Sequence, residues 1–148
     1  MSLKNQLLDD IKQAMRSGEK SRLTTLRMAS AAVKQREVDE RIEADDSVVL
    51  GVIEKMIKQR RESAEQYRAG NRPELAETEE AEIEILEPYL PEALSEAEIN
   101  DQIDEAIAAT GADGMQAMGA VMARLKPQLQ GRADMKTVSG LVRARLAG

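Results

Sequence analysis

The 148-residue chain has 21 basic and 27 acidic side chains, a net charge of −6, and no histidine, cysteine, tryptophan or phenylalanine. Those absences exclude a thiolate or imidazole zinc site, a cysteine nucleophile, a histidine general base and any disulfide. A hydrophobic content of 42% suffices for a folded chain, and the length allows one domain or two small ones.

The first residues, MSLKNQLLDDIK, mix charge into every turn and lack the apolar core of a signal peptide. Purely apolar runs are far shorter than the run of about 18 that spans a bilayer. The location expected on this basis is cytoplasmic. The acid excess argues against a general nucleic-acid binder or a membrane partner, although net charge says nothing of local patches.

Apolar residues recur at helical spacing almost throughout, and no segment alternates with period two, so an all-α fold is expected. The first helix begins after Ser2, buries Leu3, Leu7, Ile11 and Met15, and stops at Gly18. A second starts near Lys20, with Leu23, Leu26 and Val33 inward, and fades into Arg41 to Asp45. Asp46 is the expected cap of a third, whose face is Val49, Val52, Ile53, Met56 and Ile57 and which runs to Gly70. Pro73 suits the first turn of a fourth, with Leu75, Ile83 and Leu86 inward before Pro88.

In Pro88-Tyr89-Leu90-Pro91 two prolines should hold the backbone extended, and this is the expected domain boundary. Ser95 with Glu98 forms a capping box ahead of Ile99, Ile103 and Ile107, up to Gly111. Asp113 should cap a helix bearing Met115, Met118, Met122 and Leu125, ended by Pro127. Asp134 should cap the last, with Val138, Leu141, Val142 and Leu146 inward. The expectation is a four-helix N-terminal domain, residues 1–90, followed by a three-helix C-terminal domain, residues 91–148.

Charge is segregated along the chain. Lys20, Arg27 and Lys34, with Arg41 after them, are seven residues apart and lie on one helix face. Glu74 to Glu87 contains seven glutamates and no base, and Glu92 to Asp113 again seven acids and no base. Arg124, Lys126, Arg132, Lys136, Arg143 and Arg145 follow. Two readings stand: solvated faces that pair when helices pack antiparallel, or a phosphate-contacting surface on the last two helices, helped by Gly131 and the helix start at Asp134.

No phosphate-binding loop motif occurs. Serine–lysine pairs, Ser2 with Lys4 and Ser21 with Lys20, sit at helix starts where capping explains the serine. Glutamate pairs Glu62 with Glu65 and Glu79 with Glu82 fit salt bridges to Lys58, Arg61 or Arg68 better than a carboxylate metal site. The methionines at 115, 118 and 122 fit a core seam. No catalytic residue, metal site or cofactor is expected.

The run KMIKQRRESAEQYRAGNRPELAETEEAEIEILEPYLPEALSEAEI, followed by MGAVMARLKPQLQGRADMKTVSGLV, closely resembles the YqeY family. The resemblance rests on Lys58-Gln59-Arg60-Arg61, Tyr89-Leu90-Pro91 and Gly131-Arg132-Ala133-Asp134 and covers nearly the whole chain. It implies kinship with the helical tail domain of the B subunit of glutamine-dependent aspartyl/glutamyl-tRNA amidotransferase, a tail that helps to hold tRNA. Positions that match the tail motif are Met118, Gly119, Met122, Gly131, Arg132, Ala133, Asp134, Val138 and Val142. Ala120 and Met135 depart from it, where the family has lysine and glycine.

The resemblance implies a non-catalytic tRNA-associated adapter, with Lys126, Arg132, Lys136, Arg143 and Arg145 against phosphates. Two aromatic residues, Tyr67 and Tyr89, leave little for base stacking. The alternatives are an accessory component of a carbon–nitrogen ligase with glutamine as amido-N-donor, and a protein-interaction module that docks an amidotransferase or synthetase subunit.

Overall fold

The computed structural model describes residues 2–111 and 113–147 and is all-α, with seven α-helices and no strand among them. They are α1 (Leu3–Ser17), α2 (Lys20–Glu40), α3 (Asp46–Ala69), α4 (Pro73–Leu86), α5 (Glu96–Thr110), α6 (Met118–Leu129) and α7 (Met135–Ala147). Two compact units result, Met1–Leu90 with α1 to α4 and Pro91–Gly148 with α5 to α7.

Local chemistry sets the helix ends. Ser2 Oγ accepts from the Asn5 N–H at 3.1 Å and opens α1, and Gly18 closes it in the left-handed region at φ 72°. Asp45, not Asp46, caps α3 by accepting from the Val48 N–H at 3.0 Å. Asp46 instead accepts from the Leu3 N–H at 2.9 Å, so one free donor of the α1 start is satisfied from α3. Ser95 and Glu98 form the reciprocal capping box of α5, and Gly111 ends that helix at φ 64°.

In the first unit Leu7, Leu26, Val33, Val49, Ile53, Ile57 and Leu86 make up most of one core. Met15, expected inside, is 55% exposed, and Ala14 is buried in its place. The cause is helical drift: each step of four advances about 40° beyond a full turn, so three steps carry Met15 about 120° away from Leu3. Leu75 is likewise exposed while Ala76, seven before Ile83, is fully buried.

Residues Glu87–Tyr89 make one 3-10 turn rather than an extended segment, and the backbone extends only at Leu90, with φ −82° and ψ 145°. A proline φ near −65° fits a helical turn as well as an extended one. Tyr89 is drawn into the core, where its hydroxyl donates to Asp10 Oδ2.

The second unit packs Ile103, Ala106, Val121, Leu125, Leu129, Val138 and Val142 into its own core. Here Met115 is exposed and lies in a 3-10 turn, Met115–Ala117, while Val121 and Leu129 take the inner positions in line with Leu125. The turn's leading residue is Gly114 rather than a capping Asp113. α6 continues through Pro127 to Leu129. Gly131, at φ 76°, then turns the chain so that the N–H groups of Arg132 and Ala133 both donate to the Leu129 carbonyl, at 2.9 and 3.2 Å. Asp134 receives the Lys136 N–H at 3.3 Å and the Thr137 hydroxyl at 2.9 Å at the start of α7.

Candidate functional site

The charged side chains fall into two groups, those closed off by a neighbouring helix and those left outward. α3 and α4 form an antiparallel hairpin in which arginines meet the glutamate run. Arg60 Nε donates to Glu82 Oε2 at 2.7 Å, Arg61 Nη2 to Glu87 at 3.0 Å and Arg68 Nη2 to Glu80 at 2.6 Å. Arg60 is only 8% exposed and also donates to the Met56 carbonyl at 3.2 Å, with the Met28 sulfur at 4.0 Å. A buried guanidinium needs such partners, because taking the charge out of water unpaired costs several kcal/mol. The register signals this pair: Arg60 lies four after Met56 and seven after Ile53, on the buried line of α3.

A second cluster joins the start of α1 to the end of α2. Glu37 Oε2 accepts from Lys4 Nζ at 2.7 Å and from the Ala44 N–H at 2.8 Å. The Lys4 ammonium holds the Glu37 carboxyl below the usual carboxylate range, with the Ala44 amide and the Lys34 charge adding to it. Lys4 is raised in return, first by its bond to Glu37. On the other flank of the same helix pair, Asp10 receives the Tyr89 hydroxyl and lies 4.0 Å from Arg22. Burial and then the Asp10 carboxylate push the Tyr89 phenol above its ordinary value. Neither cluster was visible in the sequence, since Lys4 and Glu37 are 33 residues apart and Asp10 and Tyr89 are 79 apart.

The outward group is the α2 stripe. Lys20, Thr24, Arg27, Ala31, Lys34, Val38 and Arg41 follow one another at steps of four and three, and every one is exposed. Among the described residues the side chains of Lys20, Arg27, Lys34 and Arg41 have no ion-pair partner. Between α2 and α3, an open groove of about 280 Å³ is lined by Ala32, Gln35, Val52, Lys55, Met56 and Gln59.

The five cations expected to contact phosphate are not equivalent. Arg145 pairs with Asp104 and donates to Asn100 at 3.3 Å, which ties α7 to α5. Arg132 Nε donates to the Glu92 carbonyl at 3.1 Å, and the Leu94 N–H returns to the Arg132 carbonyl at 2.9 Å, so this side chain holds the segment ahead of α5. Lys136 and Arg143, seven apart, lie on the outward face of α7, opposite Val138 and Val142. Lys126 is exposed in the last turn of α6. Of the serine–lysine pairs, Ser2 is a cap and Lys4 is held by Glu37.

The fold and these surfaces define a helical protein whose distinctive chemistry lies in exposed charge. Residues 4–146 match the family model described as Yqey-like protein, and the chain belongs to that family. It is 32% identical over 133 residues to "Altered inheritance of mitochondria protein 41, mitochondrial" of Pyrenophora tritici-repentis, covering 88% of this chain and 73% of that protein. The protein of the same name from Kluyveromyces lactis is 30% identical over 142 residues, covering 93% and 72%. For Lachancea thermotolerans the figures are 36% over 100 residues, 66% of this chain and 54% of the relative, so the match spans about half of that protein.

These relatives correct two expectations. They are named for the inheritance of mitochondria, which points away from a tRNA amidotransferase adapter. The compartment in their names is the mitochondrion, not the cytoplasm expected above. The physical reason is that lacking a secretory core or a spanning run bears on the secretory route and on membrane insertion, while mitochondrial addressing follows other, amphipathic signals.

Proposed function

We propose that the chain is a mitochondrial, non-catalytic docking protein, built as a four-helix and a three-helix domain, which presents cationic helix faces to an anionic partner. The observation that carries this reading is the partition of charge. The α3 arginines are neutralised by glutamates of α4 and of the turn after it, yet Lys20, Arg27, Lys34 and Arg41 stay outward in a chain with a surplus of acids. A fold that needed those cations only for stability had glutamates available to pair with them. Lys136 and Arg143 on α7 stand outward in the same way, and Lys126 is exposed on α6. Kinship of residues 91–148 with the amidotransferase tail belongs to this reading as an ancestry of fold, without its activity.

The test is retention on a sulfonate cation exchanger at pH 7 and low salt. A chain of net charge −6 with evenly mixed charge should pass through, whereas a segregated cationic face should hold it until salt screens the contact. Passage of the intact protein without retention would end the docking reading. For the compartment, a tagged chromosomal copy in a eukaryotic host should fractionate with mitochondria, and recovery in the cytosol alone would refute that part.

A further inference from the structure

The face that carries those cations also carries exposed apolar side chains. On α1, Leu8, Lys12 and Met15 follow at steps of four and three and share one line; Leu8 is 42% and Met15 55% exposed. On α2, Val38 is 65% exposed and sits four residues after Lys34 on the cationic stripe. The two lines flank the same side of the α1–α2 seam. Lys4, four before Leu8, bonds to Glu37, and Lys34 is close enough to Glu37 to lower its pKa, whereas Asp10 and Arg22 meet on the opposite side. Along this side Glu37 is already engaged by Lys4 and Ala44, and Glu43 lies beyond it near Lys4.

From this arrangement we infer that the α1–α2 face docks flat on an anionic lipid bilayer, with Leu8, Met15 and Val38 entering the headgroup boundary and Lys12, Arg27 and Lys34 lying among the lipid phosphates. This rests on the docking reading above and names its partner. Two features favour lipid over an acidic protein helix. The apolar side chains stand singly between cations on the outside of two packed helices, without the continuous apolar groove that receives a partner helix. Lysine and arginine stems lie along an apolar surface while their heads reach phosphate, so interspersed cations and aliphatics suit a bilayer surface. α2, with its 21 residues, gives a contact line about 30 Å long.

Net charge does not oppose this. Through Arg41 the sequence has nine basic and six acidic residues, and the remainder has 12 basic and 21 acidic. An anionic surface attracts the first part and repels the rest, which orients the chain with the α1–α2 face inward.

The experiment is co-sedimentation of the full chain with vesicles of phosphatidylcholine alone and with phosphatidylglycerol added. Binding should appear only with the anionic lipid and fall as salt is raised. Each cation removed should weaken it about fivefold, so Arg27→Gln with Lys34→Gln should weaken it on the order of 25-fold. Leu8→Gln with Met15→Gln should also weaken it at unchanged charge and unchanged helical circular dichroism. No binding to anionic vesicles at low salt, or binding indifferent to both double variants, overturns the inference. Capture by polyglutamate without vesicle binding also overturns it and assigns the face to an acidic protein. If the exchanger retains the chain and the vesicles do not, the lipid assignment alone fails; if neither does, the docking reading falls with it.

Discussion

Two helical hairpins of the first unit use cations in opposite ways. In α3–α4 the arginines are met by a glutamate run on the facing helix, and Arg60 is buried in the process. In α1–α2 the cations of the stripe form no ion pair among the described residues and stay in water, with Lys34 only near Glu37, although Lys4 and Arg22 of the same hairpin are paired. A basic run in a sequence therefore has no fixed meaning; the helix packed against it decides whether it is structural or available. α2 also carries apolar residues on both its inner and its outer side, Leu26 and Val33 buried and Val38 exposed.

The comparison breaks most directly at the core of the paired hairpin. Ile53→Ala, at a fully buried α3 position, should lower unfolding free energy by about 2–5 kcal/mol in urea denaturation. Glu82→Gln leaves the Arg60 guanidinium with only neutral acceptors and should destabilise by about 2 kcal/mol, below the usual loss for a buried pair because Glu82 is partly in water. A loss no larger than that of an exposed pair would mean that Arg60 is reached by solvent. Ser95→Ala removes the capping box of α5 and should cost about 1 kcal/mol.

The Lys4–Glu37 contact sharpens the comparison through pH. Glu37 is held below the ordinary glutamate value, as are Glu19 and Glu98, so their contribution is present above that value and is lost as pH falls through and below it. Lys4 is raised above 10.5, and its share, like that of the neutral Tyr89 phenol, is lost at strongly alkaline pH. Melting temperature followed from neutral to acid pH should fall, and Glu37→Gln should flatten part of that slope. The smallest effect belongs to the open face: Arg27→Gln and Lys34→Gln should each change stability by no more than about 0.5 kcal/mol, since no partner is lost. A larger loss would reveal a structural role for the stripe.

Helix ends were legible where Ser2, Gly18, Ser95 and Gly111 act on their own neighbours, but not at Asp46, Asp113 or Pro127, where the cap fell one residue away or the helix ran on. The inner register was less so. Following apolar residues at helical spacing put Met15, Leu75 and Met115 inside, whereas Ala14, Ala76 and Val121 are the buried ones. The α2 stripe follows from a spacing of seven, a local property. Pairing of Arg60 with Glu82, Arg145 with Asp104 and Arg132 with the Glu92 carbonyl depends on which helix or segment lies alongside, so a stretch of sequence taken singly does not contain it. The cellular compartment is an address read by other machinery, and the helical periodicity of the chain carries no trace of it.

The turn between α3 and α4 consists of Gly70, Asn71 and Arg72, with Asn71 in the left-handed region at φ 60°. Arg68 and Glu80 are consequently only 12 residues apart along the chain, against 33 for Lys4 and Glu37. Closing the shorter loop from an unfolded chain costs about 0.9 kcal/mol less entropy, on the logarithmic dependence of closure on length. Asp10 and Arg22, across the tight turn between α1 and α2, are no farther apart along the chain than Arg68 and Glu80, so chain entropy favours both turns before the Lys4–Glu37 contact at the start of α1.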